Sequence, residues 1–311
     1  MMCNIWIFDV GRGLSAVIKT PADKWIMIDL GDDEDFCPIN DFLIKHISID
    51  REDKKRRISQ LVISHPHDDH ITAIEEFDKK IYPALLTVPN DNEGQDPAFM
   101  VNWDLVTNPS SDLTDYLKEK MLPGRTPPLK ATADDDTKGF IFKIYYLKPK
   151  TCETHKDLNK LNYTNNLSIV ARLNYKGNVV LFCGDMMKDG MDQLLKEGNL
   201  KSDLSTYGVD FLIAPHHGLR SSFSTDLFSA MRGGKPQLNI ISERITSTDS
   251  KEQVDDRYSY EDYASGCYVH IEGRRENRRR IKTSAVGHTR ITLFENKNSM
   301  IFTGLSALTI P

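Results

Sequence analysis

The segment SHPHDDH, residues 64–70, places three histidines and two aspartates within six positions, His65 to His70, directly behind the apolar run QLVIS. Imidazole and carboxylate groups together are suitable ligands for zinc, manganese or iron. One such loop can supply two ligands to each of two ions, and a carboxylate can bridge two ions roughly 3.5–4 Å apart. The segment therefore predicts a metal centre at the end of a strand.

Two later strands are predicted to end in the same kinds of residue. NVVLFC is followed by Gly184 and Asp185, and DFLIA is followed by Pro215, His216 and His217. Each motif alone has an ordinary explanation as a turn or a loop. Rigid elements hold ligands accurately, and three such strand ends in this order predict one shared site.

The composition is that of an ordinary globular protein. The 311 residues carry 40 Lys and Arg against 45 Asp and Glu, so the net charge of −5 gives the whole chain no attraction to nucleic acid. No run approaches the roughly 18 apolar residues of a membrane span, and the first residues do not resemble a signal peptide. Five widely spaced cysteines favour reduced, buried thiols in a cytoplasmic protein with no membrane partner.

Strand patterns dominate both halves of the chain. Three short β-rich runs at 4–11, 15–20 and 24–31 predict a meander that opens a sheet. A polar segment at about 91–138 is predicted to be a variable insertion within a single domain spanning 1–311. The order of elements predicts an α/β sandwich of two mixed sheets with helices outside.

The histidine segment, as HxHxDH at His65, His67, Asp69 and His70, is similar to the signature of the metallo-β-lactamase superfamily. FDVGRGLSAVI with WIMIDLG resembles the opening of its ComEC-type branch. NNLSIVARL, LFCGDM and APHHGLRSS resemble later segments of that branch. The resemblance implies a metallo-β-lactamase-like αββα sandwich with the metal ions at one edge of the sheets.

The resemblance also implies roles for individual ligands. His65 and His67 would bind the first metal ion. Asp69 and His70 would bind the second, and Asp185 would bridge both. The expected cofactors are two divalent ions, Zn or Mn, with Mg as a further candidate.

The remaining ligands are left open by the motifs. One histidine of the HHG motif would complete the second site, and His216 is favoured over His217. Many superfamily members carry a third histidine for the first metal just before the strand that precedes the Gly-Asp strand, where this chain reads YTNNLS. Asn165 or Asn166 is predicted to offer an amide oxygen there, with water or the upstream His155 as alternatives. An oxygen ligand would favour Mn or Mg over Zn.

The mechanism implied by the resemblance is hydrolysis by a hydroxide held between the two metal ions, which lower the pKa of bound water from 15.7 toward about 7. Asp69 would also orient the hydroxide. The HHG histidine that is not a ligand, His216 or His217, would protonate the leaving oxygen. Asp9 or Asp29 is predicted to support the ligands from behind.

The ComEC-type resemblance implies cleavage of a phosphodiester, with a nucleic acid as the partner. Independently, EGRRENRRRIK at 272–282 could track phosphates, although a solvated strand edge is the ordinary alternative. Aromatic residues within 255–268 could stack bases or simply pack. Substrate contacts are predicted for five residues of the later segments, namely Ser221, Ser222, Lys282, Thr283 and His288.

Two other classes of function stay open because one fold hosts many activities. A hydrolase of a cyclic nucleotide, lactone or thioester would be favoured by a narrow pocket without a basic groove. A non-catalytic binding module would be favoured by loss of the metal ligands.

Overall fold

The computed structural model describes residues 1–50, 54–90, 101–120, 139–158, 162–243 and 253–310. Its strands are β1 (Met2–Ile7), β2 (Ala16–Lys19), β3 (Trp25–Ile28), β4 (Arg56–Ile58), β5 (Gln60–Val62), β6 (Ile81–Pro83), β7 (Leu86–Thr87), β8 (Phe140–Tyr145), β9 (Val170–Tyr175), β10 (Asn178–Phe182), β11 (Phe211–Ile213), β12 (Leu238–Ile241), β13 (Cys267–Ile271), β14 (Arg274–Arg278), β15 (Arg280–Lys282), β16 (Thr289–Phe294) and β17 (Ser299–Thr303). Its α-helices are α1 (Ile44–His46), α2 (Ile74–Lys80), α3 (Ser111–Lys120), α4 (Pro149–Thr154), α5 (Tyr163–Asn166), α6 (Lys188–Glu197), α7 (Leu200–Tyr207), α8 (Thr225–Ala230) and α9 (Thr283–Val286).

Within those ranges, the first sheet has nine strands in the order β14-β13-β17-β16-β1-β2-β3-β5-β7. β1, β2 and β3 pair antiparallel, as the three opening runs predict. β3, β5 and β7 then run parallel, so their carboxyl ends reach the same edge of the sheet. The histidine segment begins at this edge, just after β5.

The second sheet has six strands in the described part of the chain, in the order β15-β12-β11-β10-β9-β8. β8, β9 and β10 are antiparallel neighbours. β10, β11, β12 and β15 run parallel, and their carboxyl ends therefore lie at a common edge. A separate parallel pair, β4 with β6, stands beside the first sheet.

The two large sheets pack face to face. Ile5 of β1 and Val180 of β10 belong to one buried apolar layer, which inward-facing residues of both sheets form. Trp6, the neighbour of Ile5, points to the opposite face because side chains alternate along a strand. There its ring lies 4.9 Å from that of Phe42, which belongs to the helical segment before α1. Leu181 likewise joins the buried residues of α6 and α7. The predicted αββα sandwich is confirmed.

The predicted insertion at about 91–138 falls for the most part outside the described residues. Its described portion, 101–120, contains a short helical turn at Trp103–Leu105 and α3, where the sequence predicts a helix. No helix in the described ranges has both the length and the apolar character needed to cross a membrane.

Candidate metal centre

The three motif-bearing loops meet at one edge of the sandwich. The histidine segment follows β5 of the first sheet, whereas Asp185 follows β10 and the HHG motif follows β11 of the second sheet. One backbone hydrogen bond joins two of these loops, because His216 N donates to Gly184 O at 2.9 Å. A second ties the histidine segment to the residue before β9, because Ile169 N donates to Ser64 O at 2.9 Å. The parallel strand ends of both sheets therefore converge on a single site.

The first group of candidate ligands is fully buried. His65, His70 and Asp185 each offer one ligand atom, and these atoms all lie within 4.8 Å of one another. His65 Nε2 lies 3.8 Å from Asp185 Oδ2, and His70 Nε2 lies 3.1 Å from Asp185 Oδ1. His67 adds a fourth group, because its Nδ1 lies 3.2 Å from His65 Nε2 while its Nε2 lies 2.8 Å from Thr107 Oγ1.

The second group consists of Asp69, His70 and His217, again with ligand atoms within 4.8 Å of one another. His217 Nε2 lies 3.6 Å from Asp69 Oδ2 and 3.3 Å from Asp185 Oδ2. His217 Nδ1 donates to the backbone oxygen of Ser242 at 2.9 Å. This hydrogen bond fixes the ring orientation and turns Nε2 toward the cluster.

Asp29 supports the cluster from behind, as one of the two aspartates predicted for this role. It is fully buried, and its carboxylate accepts hydrogen bonds from Ser64 N at 2.6 Å and from Ser64 Oγ at 2.7 Å. Its Oδ2 also accepts from His70 Nδ1 at 2.8 Å. Asp9, the other candidate, instead donates its backbone N–H to His288 Nδ1 at 3.0 Å.

The chemistry of His70 shows that the residues present fit a divalent cation. Because Nδ1 donates to Asp29, a neutral His70 carries its lone pair on Nε2. That nitrogen is buried, has no hydrogen-bond partner among the described residues, and lies 3.1 Å from a carboxylate oxygen. A lone pair facing an anion at this distance is repulsive unless positive charge lies between them.

The shifted pKa values of the cluster also show that its carboxylates favour positive charge nearby. Burial lowers the pKa of His70, but Asp185 and Asp29 outweigh it and hold that pKa well above its ordinary value. Burial also opposes ionisation of Asp185, yet the neighbouring histidines hold its pKa well below the usual range. Similarly, Asp185 and Asp69 overcome burial and raise the pKa of His217 to about 10. Protons on these imidazoles supply the charge that a bound cation would replace.

The structure separates the two histidines of the HHG motif. His216 and His217 both have positive φ, 46° and 55°. His217 joins the second group, whereas His216 Nε2 lies 3.8 Å from Asp185 Oδ2 and 3.5 Å from Asn165 Nδ2. The geometry thus favours His217 as the ligand of the second site, in place of His216 that the sequence favoured. Burial lowers the pKa of His216.

Where the sequence lacks a third histidine, an amide side chain lies near the cluster. Asn165 on α5 lies beside His216, and its Oδ1 is buried with no hydrogen-bond partner in the described ranges. Asn166 instead donates Nδ2 to Leu158 O at 3.2 Å and packs its side chain against Gly190 of α6. Of the two predicted amides, Asn165 is the one that faces the site.

The residues predicted to contact substrate have varied surroundings. Ser221 is exposed, whereas Ser222 is buried and donates to Pro215 O at 2.9 Å, so its hydroxyl supports the HHG loop. Lys282 Nζ pairs with Glu243 Oε1 at 2.9 Å at the carboxyl end of β15.

The last two predicted contacts are also engaged within the protein. Thr283 is buried, and its Oγ1 accepts a hydrogen bond from Glu243 N at 3.3 Å. The ring of His288 lies 4.2 Å from that of Phe36, and its Nδ1 accepts from the backbone of Asp9. These placements argue against direct substrate contact by Ser222, Thr283 and His288.

Most arginines of the run lie away from the cluster. Three of the five are on β14 at the outer edge of the first sheet, seven strand spacings or roughly 34 Å along the sheet from β5. Arg278 pairs with Glu276, and Arg279 Nη2 lies 3.1 Å from Glu261 Oε2. Nearby, Tyr258 is buried against Phe223, so it packs rather than stacks bases.

Two features of the site escaped the sequence motifs. Gly13 of DVGRG and Gly31 of IDLG pack on the backbone oxygen of Asp69. A Cβ at Gly13 would lie 1.9 Å from that oxygen, and a Cβ at Gly31 would lie 3.0 Å from it. Arg12, between Gly11 and Gly13, places Nε 3.8 Å from Asp69 Oδ2 with 67% of its side chain exposed. An arginine between two glycines is unusual, and this was the sequence signal that could have identified Arg12.

Comparison with known proteins supports the superfamily. Residues 8–126 match the family model described as the metallo-beta-lactamase superfamily, and this range holds the histidine segment. Over these residues the resemblance to the superfamily is confirmed, whereas the ComEC-type branch stays a prediction. No curated protein matches the chain.

Several solved structures match the chain at low similarity. Igni18, a metallo hydrolase from Ignicoccus hospitalis, is 13% identical at a TM-score of 0.39, with 81% of this chain and 87% of that chain covered. Zn²⁺-bound PqqB from Methylobacterium extorquens is 9% identical at a TM-score of 0.37, covering 68% and 71%. CmlA, a diiron β-hydroxylase from Streptomyces venezuelae, is 12% identical at a TM-score of 0.43, covering 81% of this chain and 47% of that one. This chain therefore spans about half of the length of CmlA.

Proposed function

Because residues 8–126 match a superfamily made up mostly of metal-dependent hydrolases, we propose that this protein is a metal-dependent phosphodiesterase, and specifically a nuclease. The observation that carries the proposal is the pair of ligand groups that share His70, with Asp185 3.1 Å from His70 Nε2 and 3.3 Å from His217 Nε2. This arrangement suits two divalent ions, which residues of the three motif-bearing loops would hold. The ComEC-type resemblance of the sequence supports a phosphodiester as the substrate.

Divalent ions bound here would supply an activated water and a Lewis acid for the phosphoryl oxygen. His65, His67 and Asp185 would hold the first ion, with Asn165 as a further candidate ligand. His70 belongs to both ligand groups and could therefore serve either ion. The mixture of imidazole, carboxylate and amide groups supports Zn or Mn, and the amide oxygen supports Mn or Mg at the first position.

The chain's own residues would control the protons. Asp69 is part of the second group and faces the open side, so its carboxylate can orient the attacking water. His216 is not in either ligand group, and its side chain is 16% exposed. Since burial lowers its pKa, the neutral imidazole of His216 can accept a proton and pass it to the leaving oxygen.

The five cysteines support a reducing compartment for this activity. All five are free thiols, and burial raises the pKa of Cys3 and Cys183 far above the ordinary value, which makes them unreactive. We therefore assign the protein to the cytoplasm as part of the proposal.

The proposal is tested with end-labelled single- and double-stranded DNA and RNA, in the presence of Mn²⁺, Mg²⁺ or Zn²⁺. Asp185→Asn serves as the control because it keeps the size of the side chain and removes its charge. Metal-dependent cleavage that Asp185→Asn abolishes would support the nuclease. No cleavage of any nucleic acid by protein that holds two equivalents of metal would refute it.

One observation favours a second candidate, a small-molecule hydrolase. A small, partly open apolar pocket lies beside the histidine segment. It is lined by apolar residues of that segment, of the strand end after β7, and of the described part of the insertion: Ile63, Pro66, Val88, Pro89, Val101, Trp103, Leu113 and Leu117. Cleavage of a lactone or thioester, with nucleic acids untouched, would favour this candidate.

A further inference from the structure

Arg12 lies on a loop that is fixed on two sides. The loop joins β1 to β2, and Gly11 and Gly13 have φ values of 69° and 106°. Gly13 packs so closely on the histidine segment that a Cβ there would lie 1.9 Å from the backbone oxygen of Asp69. On the other side, Ser242 Oγ donates to Gly13 O at 2.8 Å. These two contacts fix the position of the Arg12 backbone next to the histidine segment.

The guanidinium of Arg12 lies at the open rim of the second ligand group. Its Nε is 3.8 Å from Asp69 Oδ2, the same oxygen that lies 3.6 Å from His217 Nε2. The side chain of Arg12 is 67% exposed, whereas that of His217 is 6% exposed. Any group that binds at the second position from solvent therefore comes within reach of the guanidinium.

An ion pair with Asp69 does not explain this position. Exposed ion pairs at such distances contribute little to stability. A cation bound by Asp69 would also neutralise the carboxylate that now attracts Arg12. The planar guanidinium would then present its donors to the next anion in the site, and its fork geometry matches two phosphate oxygens.

We propose that Arg12 binds the non-bridging oxygens of an anionic phosphate ester at the second metal position, and so makes the site selective for charged phosphodiesters over neutral esters. The inference rests on the proposed function and specifies its substrate class. Arg12 is thus a substrate-binding residue that sequence motifs for metal ligands do not include.

The first test measures binding without turnover. Inorganic phosphate is titrated calorimetrically into wild-type protein and Arg12→Gln, each loaded with two equivalents of Zn²⁺. Arg278→Gln, an arginine on β14, is the matched control. We expect Arg12→Gln to weaken phosphate binding at least about tenfold at unchanged metal content, and Arg278→Gln to change it less than twofold. Equal affinity in Arg12→Gln and wild type would overturn the inference.

The second test compares two substrates with a common leaving group. Bis(p-nitrophenyl) phosphate is an anionic diester, and diethyl p-nitrophenyl phosphate is a neutral triester. We expect Arg12→Gln to lower kcat/KM for the diester by about ten- to a hundredfold, mainly through KM, with partial rescue by Arg12→Lys. The rate with the triester should not fall. An equal loss with both substrates would overturn the inference.

The two tests separate the inference from the proposed function. Diester cleavage that Arg12→Gln leaves intact would refute the role of Arg12 alone. Phosphate binding that depends on Arg12, in a wild-type protein that cleaves no phosphodiester, would refute the nuclease proposal and keep the anion site.

Discussion

Replacing Gly13 by alanine should damage the metal centre although residue 13 offers no ligand. The glycine has a φ of 106°, which L side chains rarely adopt, and a Cβ would lie 1.9 Å from Asp69 O. Gly233 is a matched control, because its φ of 89° is similar and no atom lies within 4 Å of the position that a Cβ would take there. The pair of variants separates backbone strain from the collision with the histidine segment.

The magnitude follows from the two costs. The positive φ costs on the order of 1–3 kcal/mol in either variant. Ordinary contacts begin near 3.4 Å, so in Gly13→Ala the two backbones would also have to separate by about 1.5 Å. Overpacking of this kind adds about 1–3 kcal/mol. The same shift moves Asp69 and the adjacent His70, and displacements of about 1 Å can lower activity roughly a hundredfold.

Urea unfolding with and without Zn²⁺, together with metal analysis, tests this reasoning. We expect Gly13→Ala to lose about 1–3 kcal/mol more than Gly233→Ala, and to hold its second metal ion at least about tenfold more weakly. Gly233→Ala should keep the metal content of the wild type. If both variants lose the same free energy and retain both ions, the packing of Gly13 on Asp69 does not position the site.

Four further predictions address the ligands, the arginines and the pH response. Asp185→Asn should lower activity at least about a hundredfold and reduce the bound metal below two equivalents, as measured by mass spectrometry. His217→Ala should lose one ion, whereas His216→Ala should keep both and lose kcat; the reverse pattern would restore His216 as the ligand. Arg278→Gln should change affinity for a 30-base-pair duplex less than about twofold, since this arginine is already ion-paired. Burial raises the pKa of Asp255, but hydrogen bonds from Arg257 outweigh burial and the net pKa is lowered. The ionised carboxylate therefore stabilises the fold above about pH 4, and this stabilisation is lost as the pH falls further. Thermal unfolding of Asp255→Asn should accordingly show a weaker loss of stability between about pH 5 and 2.

The positions of the principal candidate ligands could be predicted because they follow strands. The order of strand, polar residue and loop places His65, Asp185 and the HHG motif at carboxyl strand ends, and parallel pairing brings those ends together. The choice between His216 and His217 could not be predicted. Both residues have positive φ, which depends on the tertiary packing of the loop. That packing places His217 Nε2 3.6 Å from Asp69 Oδ2 and His216 Nε2 3.5 Å from Asn165 Nδ2.

Other predictions failed to anticipate partners that are distant in sequence. Ser222 follows the HHG motif, as a substrate-binding residue could, but its hydroxyl donates to a loop carbonyl. The arginines of β14 lie at a sheet edge, where charged residues also prevent edge-to-edge pairing, and Arg279 meets Glu261 from a preceding loop. Conversely, no sequence pattern assigned a role to Gly13, and only the fold shows that its missing side chain makes room for Asp69.

The location of the cluster between the two sheets has a consequence for folding. His70 and His217 belong to loops of different sheets and lie about 150 positions apart in the chain. An ion bound by both residues would link the two sheets at the open edge of the sandwich. At a free concentration of a thousand times its Kd, such an ion adds about 4 kcal/mol to the stability of the native state. The supply of metal in the cell would then set the lifetime of the folded protein as well as its activity, and metal starvation would remove the protein itself through proteolysis.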